Sequence, residues 1–122
     1  MKFNKNLKAE IERYQNYVIV VEGKKDVNAL ISLGFQNVYA IHQTGVSIKE
    51  RAEQIAQQID KKDKLCILTD LDRRGKQLYH LLKSVFQELG VRLDSTLRGI
   101  LIKSKISHIE RLNKFLDKLE MI

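Results

Sequence analysis

The stretch that decides the fold is Leu65-Cys66-Ile67-Leu68-Thr69-Asp70-Leu71-Asp72-Arg73-Arg74-Gly75. Its first half is an uninterrupted apolar run, which is typical of a strand buried on both faces of a parallel sheet. Its second half places two carboxylates, two guanidiniums and a glycine at the carboxyl end of that strand. Because ligands bind at the carboxyl ends of strands in open α/β sheets, this tip is the candidate site.

The spacing of Asp70 and Asp72 favours a metal ion. Residues two apart on an extended chain project to the same side, with about 6–7 Å between their Cα atoms. Two carboxylates at that distance repel, and a divalent cation with oxygen ligands removes the repulsion. We therefore predict that Asp70 and Asp72 bind Mg²⁺, with Mn²⁺ as a substitute. Gly75 allows a tight turn, and a helix that starts after it would favour anions at its N-terminus.

A second stretch has the same design. The β-branched run from Tyr17 to Val21 ends in Glu22 and Gly23, followed by Lys24 and Lys25. If the two strands are neighbours in one parallel sheet, about 4.8 Å apart, Glu22 lies beside the aspartate pair. The predicted metal site then contains three carboxylates, those of Glu22, Asp70 and Asp72, and the predicted activity depends on this adjacency.

Length and charge restrict the class of protein. The 122 residues suit one domain, and 22 Lys and Arg against 15 Asp and Glu leave a formal charge of +7, which favours a polyanionic partner. No apolar run reaches the roughly 18 residues of a membrane span, and the polar first ten residues do not resemble a secretory signal. We expect a cytoplasmic protein with no membrane partner. The single cysteine, Cys66, lies within an apolar run and is interpreted as a core residue.

The order of the elements indicates an α/β fold with a mostly parallel four-stranded sheet and helices on both faces. The sequence predicts strands at about 17–22, 37–41, 64–69 and 91–94. It predicts helices at about 4–14, 25–33, 47–59 and 75–89, and C-terminal helices within about 95–120. Ser47-x-x-Glu50 and Ser107-x-x-Glu110 are both capping-box patterns. A single domain with its core at about 17–94 follows.

Basic and glycine-containing positions around the tips are candidates for phosphate contacts: Lys24, Lys25, Thr44, Gly45, Arg73, Arg74 and Gly75. The two arginines suit forked contacts with phosphate oxygens. Thr44 and Gly45 follow the second predicted strand, and a plain turn is the simpler interpretation there. The later basic residues Arg92, Arg98, Lys103 and Lys105 are interpreted as a solvated face.

Glu22-Gly23 at one strand end, with Asp70-Leu71-Asp72-x-x-Gly75 at a later one, resembles the Toprim domain. That domain is shared by type IA and type II topoisomerases, bacterial primases, OLD-family nucleases and the ribonuclease that matures 5S ribosomal RNA. The resemblance covers about 17–94 and implies a Rossmann-like fold. It also implies that Glu22 acts as general acid or base while Asp70 and Asp72 bind Mg²⁺. The sequence around the aspartates most resembles that of the small stand-alone Toprim proteins of archaea and some bacteria.

The leading hypothesis is Mg²⁺-dependent hydrolysis of phosphodiester bonds in nucleic acid, RNA rather than DNA. The first alternative is a non-catalytic, metal-dependent nucleic-acid-binding subunit with protein partners in a processing complex. A phosphotransfer domain of the receiver or haloacid-dehalogenase kind is a third interpretation. It is disfavoured because Asp70 and Asp72 follow the third predicted strand, whereas those families carry their acids after the first. A charged loop without function is the remaining alternative.

Overall fold

The structure, a computed structural model, describes residues 6–120. Four strands alternate with helices: β1 (Val18–Val21), β2 (Asn37–Ala40), β3 (Lys64–Ile67) and β4 (Arg92–Leu93). The helices are α1 (Leu7–Glu12), α2 (Lys24–Ser32), α3 (Ile48–Gln58), α4 (Arg73–Glu88), α5 (Thr96–Lys103) and α6 (Leu112–Glu120). A 3₁₀ turn, Ile109–Arg111, leads into α6.

The sheet has the order β2-β1-β3-β4, and every neighbouring pair is parallel. This confirms the predicted α/β fold class. Strand β1 lies between β2 and β3, with Ile19 opposite both Val38 and Cys66. Pairing continues past the strand ends, because Leu68 N–H donates to the carbonyl of Val20 at 2.8 Å. The two acid-bearing strands are therefore direct neighbours, as the predicted site requires.

Alternate residues of the central strands fill two apolar cores, one on each face of the sheet. On one face, Ile19 and Cys66 pack in a cluster that includes residues of α1, α2, α5 and α6. On the other face, Val20 and Ile67 pack with residues of α3 and α4. Such two-sided burial explains the uninterrupted apolar strands. Burial also raises the pKa of the Cys66 thiol to about 12, consistent with the interpretation of Cys66 as a core residue.

Several predicted boundaries shift for local reasons. The first helix, predicted at about 4–14, is Leu7–Glu12, and its predicted residues 4 and 5 lie outside the described range. Helix α4 begins two residues before Gly75, because Asp72 caps it. The second capping box is wrong: His108 occupies the cap position of the 3₁₀ turn, and its side chain makes no capping hydrogen bond.

Within residues 6–120, no helix is both long and apolar enough to cross a membrane.

The first capping box gives a test of how local sequence stabilises the fold. Ser47 has an extended backbone, and its hydroxyl accepts a hydrogen bond from Glu50 N–H at 3.1 Å. We expect Ser47→Ala to lower the free energy of unfolding by about 1 kcal/mol, because a helix N–H loses its partner. The control is Ser84→Ala on the exposed side of α4, which should change stability by less than about 0.5 kcal/mol. Urea unfolding measures both, and equal midpoints would contradict the capping role.

Candidate functional site

The turn between β3 and α4 is closed by a tight contact between Gly75 and the main chain of Asp70. A Cβ at Gly75 would overlap the Asp70 carbonyl group and lie 2.9 Å from its Cα. Two hydrogen bonds also hold Gly75 in this turn: its N–H donates to Asp72 Oδ1 at 2.7 Å, and its carbonyl accepts from the Thr69 hydroxyl at 2.6 Å. Gly75 is thus required for close packing. Gly75 is buried and its N–H is bonded to Asp72, so Gly75 packs beneath the site instead of lining it.

Main-chain donors hold the acids at the strand tips. Glu22 Oε2 accepts a hydrogen bond from Asp70 N–H at 2.7 Å, which places the glutamate beside the first aspartate. Asp70 Oδ1 accepts from Ile109 N–H at 3.0 Å, and Leu71 N–H donates to the Ser107 carbonyl at 2.8 Å. Hydrogen bonds from N–H groups stabilise a carboxylate's negative charge. Three separate segments of the chain therefore meet at this edge.

Three side chains at this edge place metal-ligand atoms close together. One ligand atom from each of Asp70, Asp72 and His108 lies within 4.8 Å of the other two. His108 Nε2 is 3.9 Å from Asp72 Oδ2, and these two side chains are 38% and 47% exposed. Carboxylate oxygens and imidazole nitrogens are ligands of divalent cations, so the donor set fits a metal ion. His108, rather than Glu22, is the third member of this cluster.

A buried guanidinium lies directly under the aspartates. Arg98, in α5, is only 5% exposed, so its interpretation as part of a solvated face is wrong. Its Nη1 donates to the Thr69 carbonyl at 2.8 Å and its Nη2 to the Asp70 carbonyl at 3.4 Å, while its guanidinium lies 4.3 Å from the centre of the Tyr79 ring. Burial lowers the pKa of Arg98, whereas Tyr79, Glu22 and Asp70 raise it. This cation supports the end of β3 and partly offsets the negative charge above it.

A fourth acid, Asp26, caps the helix that follows Glu22. Its carboxylate accepts a hydrogen bond from Gly23 N–H at 3.1 Å, as expected for a residue at a helix start. The pKa of Asp26 is raised, chiefly by burial and further by the charges of Asp70 and Glu22, although the Gly23 bond opposes the shift. The field of the acidic site thus reaches the first turn of α2.

The predicted phosphate-contacting residues surround this edge of the sheet. Lys24 and Lys25 lie exposed in the first turn of α2, and Arg73 and Arg74 lie exposed in the first turn of α4. Because α2 and α4 cover opposite faces of the sheet, the two basic pairs flank the aspartates from both sides.

The other predicted contacts follow β2. Thr44 and Gly45 form an exposed turn closed by a bridge between Gln43 and Val46, and Gly45 has a φ of +77°. Strand β2 is two positions from β3, roughly 10 Å away across the sheet. A plain turn accounts for its geometry, and contact with a ligand at this distance stays a prediction.

Two residues of the site were not predicted. Arg98 could have been noticed as a lone charge between apolar neighbours of one helix, Leu97 and Ile100 to Ile102. For His108 the local sequence contains no such signal, because its position depends on how the segment after α5 returns to the strand tips.

Known proteins resemble this chain in sequence and in structure. Residues 17–110 match the family described as the Toprim domain. A UPF0292 protein of Methanosarcina barkeri is 30% identical over 122 residues, covering 94% of this chain and 81% of the relative. Ribonuclease M5 of Mesoplasma florum is 32% identical over 63 residues, or 52% of this chain and 36% of that protein. DNA primase DnaG of Aeropyrum pernix is 34% identical over 74 residues, or 61% and 16%.

The fold also matches a solved structure of a protein from Aquifex aeolicus. The TM-score is 0.72 at 28% sequence identity, and the match covers 88% of this chain and 95% of that one.

The packing of Gly75 gives a sharp test with a matched control. We expect Gly75→Ala to lower the free energy of unfolding by about 1–3 kcal/mol, because the added methyl group forces the Asp70 main chain to move. Gly99, within α5, has no atom within 4 Å of an added Cβ. Gly99→Ala should therefore stabilise the protein by about 0.5–1 kcal/mol. Urea unfolding of both variants measures this difference, and a Gly75→Ala variant as stable as the parent would refute the close contact.

The buried guanidinium makes a separate prediction. Arg98→Met keeps the apolar stem but leaves the Thr69 carbonyl without its donor, so we expect a loss of about 1–3 kcal/mol. Arg92→Met, at an exposed position of β4, should change stability by less than about 0.5 kcal/mol. Thermal unfolding by circular dichroism compares them. If the two substitutions cost the same, Arg98 does not support the end of β3.

Proposed function

The chain belongs to the Toprim domain family, and from this premise we propose that it is a divalent-metal-dependent nuclease that hydrolyses phosphodiester bonds in RNA. The observation that carries the proposal is the meeting of Glu22, Asp70 and Asp72 at one edge of a parallel sheet. Exposed basic residues flank these acids on both faces.

We assign the cation to Asp70 and Asp72, with Mg²⁺ or Mn²⁺ as the ion. When bound, such an ion supplies Lewis-acid polarisation of a phosphate oxygen. Glu22 is held beside Asp70 by its bond to the Asp70 N–H, so its carboxylate is positioned to exchange a proton with the attacking water or the leaving oxygen. In this proposal Asp70 and Asp72 bind the ion, and Glu22 transfers the proton.

The basic residues supply the contacts to the polymer. Arg73 and Arg74 suit forked contacts to phosphate, while Lys24 and Lys25 add charge on the other face of the sheet. The formal charge of +7 favours a polyanion over a neutral substrate. RNA as the substrate class is supported by the likeness to a ribonuclease, although the likeness to a DNA primase keeps DNA in the test. A cytoplasmic location stays a prediction.

The second candidate is a non-catalytic, metal-dependent nucleic-acid-binding subunit that works with protein partners. The exposure of the site favours it: Asp72 and His108 are 47% and 38% exposed, so their environment does little to exclude water. Electrostatic catalysis gains strength in water-excluded sites, whereas a binding module needs no such enclosure.

A cleavage assay separates the two candidates. We would incubate the untagged protein with structured RNA, single-stranded DNA and plasmid, each with Mg²⁺, Mn²⁺ or EDTA. We expect metal-dependent cleavage of RNA, reduced by about 100-fold or more in Glu22→Gln and Asp70→Asn. Both substitutions keep an oxygen that can accept the Asp70 and Ile109 hydrogen bonds, so the fold should survive.

Matched controls lie at the opposite edge of the sheet. Asp60, in the connection before β3, and Glu88, at the end of α4, are exposed acids. Asp60→Asn and Glu88→Gln should retain full cleavage, which distinguishes the site from a general loss of charge or a contaminating nuclease. Metal-dependent binding without cleavage would support the subunit. If the protein neither binds nor cleaves any of these substrates, both candidates are wrong.

A further inference from the structure

We propose that His108 is a ligand of the metal bound by Asp70 and Asp72, and that its imidazole makes the site select a first-row transition-metal ion, represented by Mn²⁺, over Mg²⁺. The proposal rests on the metal site assigned under the proposed function and adds a ligand from outside the two strand tips.

The distance between His108 and Asp72 is compatible with a shared ion. At 3.9 Å, Nε2 and Oδ2 are too far apart for a hydrogen bond. Ligands bonded to one octahedral ion at about 2.1 Å lie about 3 Å apart when adjacent and about 4.2 Å apart when opposite. The other oxygen of Asp72, Oδ1, accepts the hydrogen bond that caps α4. This bond holds the carboxylate in place, with Oδ2 on the side of His108. An ion between the two side chains would therefore need little rearrangement of either.

The ring of His108 is oriented by its neighbour. Ser107 Oγ lies 2.9 Å from Nδ1, so a proton on Nδ1 can be donated to the hydroxyl. That tautomer leaves the lone pair on Nε2, the nitrogen that faces Asp72. Metal-binding histidines commonly bond their second nitrogen to a polar group in this way, which holds the ring in place.

The backbone around His108 is tied to the aspartate loop on both sides. The carbonyl of Ser107 accepts from Leu71 N–H at 2.8 Å, and Ile109 N–H donates to Asp70 Oδ1 at 3.0 Å. The histidine is therefore held against the acids by main-chain bonds that do not depend on its own side chain. Substituting the ring should leave this segment in position.

The donor set determines which ion is preferred. Two carboxylates carry two negative charges, which one divalent cation balances, and an imidazole adds a neutral nitrogen ligand. Mg²⁺ prefers oxygen ligands and gains little from the nitrogen, whereas first-row transition ions bind imidazole well. A site with three oxygen ligands would make a smaller distinction. The inferred increase in selectivity thus comes from His108.

Mn²⁺ is the probe, because its unpaired electrons report on ligands directly. We would measure bound and free Mn²⁺ by electron paramagnetic resonance with untagged protein, and Mg²⁺ by competition. Pulsed measurements on the bound ion detect the nuclear spin of a directly coordinated imidazole nitrogen. The chain has three histidines, so His80→Gln, on the exposed side of α4, is the matched control for His108→Gln.

We expect a nitrogen coupling in the parent and in His80→Gln, and none in His108→Gln. His108→Gln should weaken Mn²⁺ binding by about tenfold or more and Mg²⁺ binding by less than about threefold. Mn²⁺ bound in an Asp70-dependent manner without nitrogen coupling in the parent would overturn the His108 assignment and leave the proposed function standing. If neither Mn²⁺ nor Mg²⁺ binds, both proposals fail. Because the absence of coupling is read in the parent protein, poor folding of a variant cannot produce the contradicting result.

Discussion

The contact between Gly75 and the main chain of Asp70 is the constraint on which the rest of the site depends. Only a residue without a side chain lets the first turn of α4 approach the end of β3 so closely. That approach brings the Thr69 hydroxyl to the Gly75 carbonyl and puts Asp72 at the helix cap. The two aspartates are then held by opposite ends of one short turn: Asp70 by the strand and Asp72 by the helix. Parallel pairing of β1 with β3 brings Glu22 to the same place.

Bringing several acids to one edge costs free energy unless the charges are compensated. The structure stabilises these negative charges without a direct bond from Arg98 to any carboxylate of the site. The carboxylates accept hydrogen bonds from main-chain N–H groups, and the buried Arg98 places a positive charge beneath them. Its hydrogen bonds reach the carbonyls of Ile67, Thr69 and Asp70 and the Thr69 hydroxyl, not a carboxylate. Arg98 therefore supports the strand end without occupying any carboxylate oxygen of the site.

The parts of the site that depend on local patterns could be predicted from the sequence, and the parts that depend on tertiary docking could not. Glu22 and Asp70 each end an apolar run, so their place at one sheet edge follows from strand periodicity and parallel pairing. The apolar pattern predicts too late a start for α4, because it does not show that Asp72, a candidate metal ligand, also caps the helix.

Ser107 shows why the sequence does not predict the rest of the site. Its spacing to Glu110 matches a capping box, yet its carbonyl bonds Leu71 and its hydroxyl meets the ring of His108. Both partners are set by the docking of the C-terminal segment, which a pattern of four residues does not encode. Arg98 is a similar case, since its burial depends on contacts with the end of β3 and with Tyr79 rather than on its own helix.

The C-terminal segment also connects the loop that carries Asp70 and Asp72 to the helix that carries Lys24 and Lys25. After Ile109, helix α6 packs on the same core as α2, and Asn113 Nδ2 donates to the hydroxyl of Ser32 at 2.6 Å. Helix α2 carries Lys24 and Lys25 in its first turn. One segment therefore contacts Asp70 at one end and the helix of the lysine pair at the other. The segment before α6 therefore brings a candidate ligand, His108, to the aspartate pair from outside the strand tips. Residues outside the strand tips thus take part both in the candidate metal cluster and in the packing of the helix that carries the lysine pair.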